Sequence, residues 1–94
     1  MSTTKALESL GFFVIQTPNL GDGKPDYFVI GNHQVHGIRY MIGVEQKTET
    51  GKLNKKQQKF HNNFEDDDPI IVAVTIQDVL KKFGWDDDNL KQLS

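Results

Sequence analysis

Asp26, Glu45 and Lys47 are the residues of this chain whose types and spacing could do chemistry. Asp26 lies within Gly23-Lys24-Pro25-Asp26-Tyr27-Phe28-Val29-Ile30, and Glu45 and Lys47 close Ile42-Gly43-Val44-Glu45-Gln46-Lys47. Runs of Val, Ile, Tyr and Phe seek a buried sheet position, where a charge needs a partner. Two such strands can bring two carboxylates and an ammonium together. Carboxylate oxygens are hard ligands for a divalent cation, and a neighbouring ammonium can serve an attacking water. Those are the requirements of metal-assisted phosphodiester hydrolysis. Glu45 and Lys47 are two residues apart on a strand, so both project to the same face.

The elements that must position these residues follow from pattern. Residues 3–10 predict a short helix with Ala6, Leu7 and Leu10 on one side and Gly11 as a stop signal. Phe12 to Gln16 read as a strand, and the turn formers from Thr17 to Gly23 as a loop. Tyr27 to Ile30 form a second strand ending at Gly31-Asn32, and residues 31–38 a hairpin connection. Arg39 to Lys47 alternate as a third strand, and Thr48 to Lys52 turn. Asn54 stands at an N-cap position for a helix over 55–64 whose inward stripe is Gln57, Phe60 and Phe64. The acidic run 65–68 and Pro69 end it. Ile70 to Val74, continuously apolar, reads as an interior strand with a parallel neighbour. Thr75 and Asp78 suit a capping box for helix 76–83, ended by Gly84, and Trp85 to Ser94 add a short helical turn or fray. The order αβββαβα predicts an α/β domain: a mixed sheet of about four strands flanked by helices.

Ninety-four residues make one small domain, 1–94. Such a chain buries only a little over ~60% of its unfolded surface, so self-association is a natural way to bury more. Without cysteine there is no disulfide framework and no thiolate metal site, which fits a reducing cytoplasm. No apolar run is long enough to span a membrane, and the N-terminus lacks a signal-peptide pattern. The net charge is −2, but its distribution says more than its total. Residues 1–44 balance to zero, 45–64 carry five lysines against two acids for +3, and 65–94 carry eight acids against three lysines for −5. The basic segment adjoins Glu45 and Lys47, where it can meet phosphates.

In their order, these residues resemble the PD-(D/E)XK nuclease superfamily, and within it the virus-type replication-repair nuclease (VRR-NUC) branch. The resemblance is carried by Gly23-Lys24-Pro25-Asp26, by Glu45-Gln46-Lys47, and by the stretch from Thr48 to Phe60 with its Gly51, Lys52, Leu53 and Gln57. It covers roughly residues 6–80. It implies a restriction-endonuclease-like core and a metal-dependent endonuclease acting on DNA, structured or branched as for a Holliday-junction resolvase. Asp26 and Glu45 would hold Mg²⁺ or Mn²⁺ with the backbone carbonyl of Gln46 as a third ligand. Lys47 would orient or deprotonate the attacking water, Gln57 would support the site, and Glu8 is a looser candidate for an additional acid. Lys24, Lys52, Lys55, Lys56 and Lys59 are the nucleic-acid-binding candidates. A two-fold junction favours a homodimer with two sites. A compact chain of this kind fits a phage or mobile element working in the host cytoplasm.

Each residue also has a plainer reading. Asp26 alone could be a strand-start residue after proline, and Glu45 with Lys47 an exposed charged pair. Asn54 and Gln57 have capping-box spacing. The lysines could be a solvated helix face, and Phe60, Phe64 and Trp85 core. His33, His36 and His61 lack a metal-ligand spacing and read as loop or surface residues. The aspartates at 66–68 and 86–88 lack a calcium-loop pattern and read as solvated. The rival function is a non-catalytic nuclease-like module binding DNA or a replication partner, and no feature excludes RNA as substrate.

Overall fold

The computed structural model describes residues 2–17, 24–48 and 51–92. Helix α1 (Thr3–Ser9) leads into strands β1 (Phe13–Gln16), β2 (Tyr27–Asn32) and β3 (Arg39–Gln46). Then come α2 (Lys55–His61), β4 (Ile70–Ala73), α3 (Ile76–Lys82) and α4 (Asp87–Lys91). The sheet order is β1-β2-β3-β4, with β1, β2 and β3 antiparallel and β4 parallel to β3. The expected mixed four-strand sheet is therefore present, with α4 as the extra turn after Trp85. Most of the turn-rich stretch 17–23 and part of 48–52 lie outside the described residues.

Alternation divides the sheet into two unlike faces. Tyr27, Val29, Ile42, Val44 and Ala73 point to one side, where Leu7 of α1 and Val79, Leu80 and Phe83 of the α3 region close a core. Phe12 stacks on Phe83 there with ring centroids 4.8 Å apart. The other face carries Phe13, Ile15 and Met41, which are 60%, 49% and 52% exposed. Helix α2 alternates with neither face's core: none of its residues is buried.

Four expectations need correction. Strand β2 runs two residues past Ile30, because Gly31 and Asn32 pair with Tyr40 and Arg39 and the bare Gly31 admits the Phe12 ring that a Cβ would strike. Helix α2 stops at His61, where the Asn63 side-chain amide donates to the carbonyls of Lys59 and Phe60 and closes the last turn. Phe64, 38% exposed, and half-buried Phe60 thus lie outside the core, whereas Trp85 packs against it. Strand β4 is an edge, not an interior strand, in the sheet of described residues. Its continuous apolar character serves the core through Ile71 and Ala73, while Val72 stays 39% exposed.

The caps follow local chemistry. Asn54 Oδ1 accepts from Gln57 N at 2.8 Å and Gln57 Oε1 accepts from Asn54 N at 3.0 Å, so α2 begins on a reciprocal box. Asp78 Oδ2 accepts from the amides of Val74 and Thr75 at 2.8 and 3.1 Å, which fixes the passage from β4 into α3. Asp86 is a cap rather than a merely solvated acid: its Oδ1 accepts from Asn89 N at 2.8 Å, and Asp87 and Asp88 fill the first turn of α4.

Candidate active site

The β2–β3 register brings the two acids together. Tyr27 pairs with Val44 at the end of the ladder, and Asp26, just beyond it, lies beside Glu45. Asp26 N donates to Val44 O at 2.9 Å, and Gln46 N donates to Asp26 Oδ2 at 2.9 Å. One carboxylate oxygen is thereby aimed by the backbone of the neighbouring strand, with lone pairs left over for a ligand. Gly43 allows this approach: a Cβ there would lie 3.0 Å from Pro25 Cγ and 3.3 Å from Phe28 Cε1.

Thr17 pins the same segment from the β1 side. Its hydroxyl lies 2.9 Å from Pro25 O and 2.7 Å from Asp26 O, and its amide donates to Asp26 O at 3.3 Å. Below, Tyr27 Oη donates to Gln46 Oε1 at 2.8 Å while Gln46 Nε2 donates to Val74 O at 3.0 Å. Burial first, and then the Asp26 charge, push the Tyr27 phenol up to about 12, so it remains a donor at neutral pH. The Gln46 side chain is thus clamped on the core side, which orients its backbone between Glu45 and Lys47. Sequence reading missed Thr17 and Tyr27. Their roles depend on contacts across strands, and only the chemistry of a hydroxyl beside a Pro-Asp pair hinted at them.

Glu45 is the anomaly of the chain. It is 1% exposed, and among the described residues neither carboxylate oxygen has a hydrogen-bond partner. Burial raises its pKa to about 7, the nearby Asp26 carboxyl adds to the rise, and Lys47 and the Gln57 side chain oppose it. Lys47 thus acts on Glu45 through its charge and Asp26 and Gln57 also as weak hydrogen-bond neighbours, though none reaches its oxygens in full hydrogen-bonding geometry. An orphaned buried carboxylate costs stability unless something satisfies it. Two carboxylates, a backbone carbonyl and water make a hard-oxygen set of the kind Mg²⁺ takes, since that ion keeps several waters and needs only one or two acids. The residues present fit a divalent metal.

Of the remaining candidates, half-buried Lys47 lies one residue past β3, its amide donating to Ala73 O at 2.8 Å. Gln57 serves both as cap partner and as neighbour of Glu45. Glu8 is exposed on α1 and does not join the pair: no three His, Cys, Asp or Glu side chains gather among the described residues. Lys24, Lys52, Lys55, Lys56 and Lys59 are exposed, the last two lining a cavity on α2. His61 is half-buried rather than on the surface, its Nε2 has no hydrogen-bond partner among the described residues, and burial lowers its pKa.

Neither a family model nor a curated protein matches the chain. A solved structure described as a VRR_NUC domain resembles it with a TM-score of 0.55 at 24% identity, over 84% of this chain and 83% of that one. The chain has the fold of a VRR-NUC nuclease domain.

Proposed function

We propose that this nuclease-fold protein is a divalent-metal-dependent endonuclease hydrolysing phosphodiester bonds in structured or branched DNA. The observation that carries the reading is Glu45: a fully buried carboxylate whose two oxygens have no hydrogen-bond partner among the described residues, beside Asp26 and within electrostatic reach of Lys47. A bound Mg²⁺ or Mn²⁺ would polarise the phosphoryl oxygen and acidify water, so no histidine is needed. Asp26 and Glu45 would hold it together with the Gln46 carbonyl. Lys47 orients the attacking water and stabilises the charge that develops on the phosphoryl oxygens. Gln57 and the Asp26–Gln46 hydrogen bond keep the two carboxylates in register. Lys52, Lys55 and Lys59 meet the flanking phosphates.

The test is incubation of the protein with Mg²⁺ or Mn²⁺ and a panel of four-way junctions, flaps, duplex, single strands and RNA. Cleavage that Lys47→Ala and Glu45→Ala both abolish supports the reading. Cleavage surviving either change removes that residue from the mechanism. Junction binding in chelator with no cleavage under either metal would favour a non-catalytic module.

The same reading makes the protein a homodimer, and the open sheet face is the surface suited to it. Phe13, Ile15, Met41 and Val72 together expose on the order of 400 Å² of apolar side chain, the upper range for a monomer. That is about the apolar share of the ~800 Å² each partner contributes to a standard interface. Arg39 lies 5.3 Å from the Phe13 ring centroid and supplies a charged margin. Met41 and Glu45 lie on this same face, four residues or roughly 13 Å apart along β3, and Val72 pairs with Glu45, so pairing by this face sets each site at the rim of the interface.

A further inference from the structure

We propose that the flank of α2 is a stacking site for one unpaired base of single-stranded DNA, with Phe60 as the platform. A cavity of about 380 Å³ is lined by Lys56, Lys59, Phe60 and Asn63. Lys56, Lys59 and Phe60 are i, i+3 and i+4 on one side of α2, and Asn63 follows in the turn after it. The volume suits a nucleoside. The composition is that of a single-strand site: an aromatic face for the base and ammonium groups for the phosphates on either side.

The placement of the rings supports a ligand rather than a core role. Helix α2 buries none of its residues, so its aromatic rings lie outside the hydrophobic core of the sheet. Phe60 packs instead against Phe64, with centroids 5.2 Å apart, and against His61 at 5.5 Å. Phe60 is half-buried, so part of its ring surface stays open between the lysines. A stacked base would cover it. Asn63 spends its amide nitrogen on the carbonyls of Lys59 and Phe60, leaving its carbonyl oxygen as the acceptor for a base edge. One acceptor and a ring face confer little sequence preference, which suits recognition of strand structure.

The stripe also adjoins the carboxylates. Gln57, three residues before Phe60 and roughly 4.5 Å away along the axis, acts on Glu45. A base held on Phe60 would therefore lie on the same helix as Gln57, the neighbour of Glu45. This position rests on the nuclease reading; the stacking itself does not. Substrates with an unpaired nucleotide beside the cut, such as flaps and junction arms, would be preferred over continuous duplex.

The experiment uses the full chain in chelator with an oligonucleotide carrying 2-aminopurine in a single-stranded arm. Wild-type protein is expected to change the probe's fluorescence by stacking. Phe60→Leu, which keeps apolar volume and loses the ring face, is expected to abolish that change and to weaken single-strand binding about tenfold. It should change affinity for blunt duplex less than twofold, and Phe60→Trp should restore single-strand binding. Thermal melts confirm that each variant is folded. Unchanged fluorescence and affinity in folded Phe60→Leu, or equal losses on duplex and single strand, would overturn the proposal. If that happens while Lys47→Ala still abolishes metal-dependent cleavage, the nuclease reading survives. Stacking by a protein that cuts nothing with Mg²⁺ or Mn²⁺ would sustain the stacking site and sink the nuclease.

Discussion

Glu45→Gln is expected to stabilise the metal-free protein above pH 7 and to remove most of its decline in stability with rising pH. Burial raises the Glu45 pKa from 4.5 to about 7, so between those values the folded state holds a proton that the unfolded chain has released. Stability then falls as pH rises through this window, because the folded state binds more protons. The full shift corresponds to ~3 kcal/mol at about 1.4 kcal/mol per unit. Solvent reaching the exposed Asp26 beside it screens the interaction, so we expect on the order of 2 kcal/mol. For a domain of this size that is on the order of 10 °C in Tm. His61 and His33 have lowered pKa values and act in the opposite sense, gaining stability as pH rises through the unfolded histidine value. Both remain in the variant, so they cancel in the comparison. Urea titrations of wild type and Glu45→Gln in EDTA at pH 5 and pH 8 measure the difference directly. Parallel pH dependence in the two proteins would show that Glu45 is not strained by burial. Added Mg²⁺ should recover wild-type stability at pH 8 and do much less for the variant.

Further changes test the supports of the site. Thr17→Val removes the hydroxyl near Pro25 and Asp26 and should cost about 1 kcal/mol in denaturant melts, with cleavage slowed about tenfold by misplacement of Asp26. Tyr27→Phe leaves Gln46 Oε1 without its donor in the core and should cost about 1–3 kcal/mol, read by urea titration. Lys52→Gln with Lys55→Gln should lower the slope of log K against log salt by about 2 on duplex DNA if both meet phosphate. Met41→Lys should convert a dimer to a folded monomer, checked by light scattering with size exclusion.

Much of this architecture can be read from local pattern. The alternation of Tyr40, Ile42 and Val44 against Arg39, Met41 and Gly43 places β3 and its two faces. Asn54 with Gln57 and Thr75 with Asp78 mark where α2 and α3 begin, because caps are chemistry within four residues. The i and i+2 spacing of Glu45 and Lys47 puts them on one side, since strand geometry allows nothing else. The ordered Pro-Asp and Glu-Gln-Lys motifs thus single out the residues of the candidate site.

Long-range packing decided the rest. Register between β2 and β3 brings Asp26 beside Glu45, and a slip of one residue would have turned one of them to the other face. Phe60 and Phe64 look like core by period, yet period does not say which neighbour covers a helix face, and α1 and α3 had already closed the core on the other side of the sheet. Strand β4 reads as interior because its composition reports burial, not the number of strands that pair with it. Glu45's orphaned oxygens, and the supports from Thr17 and Tyr27, arise from segments 9 to 28 residues apart in the chain that meet only after folding. Residue type and spacing determined which chemistry was available. The assembled sheet determined which groups were buried, aimed and left unsatisfied, because desolvation is a property of the whole packed molecule.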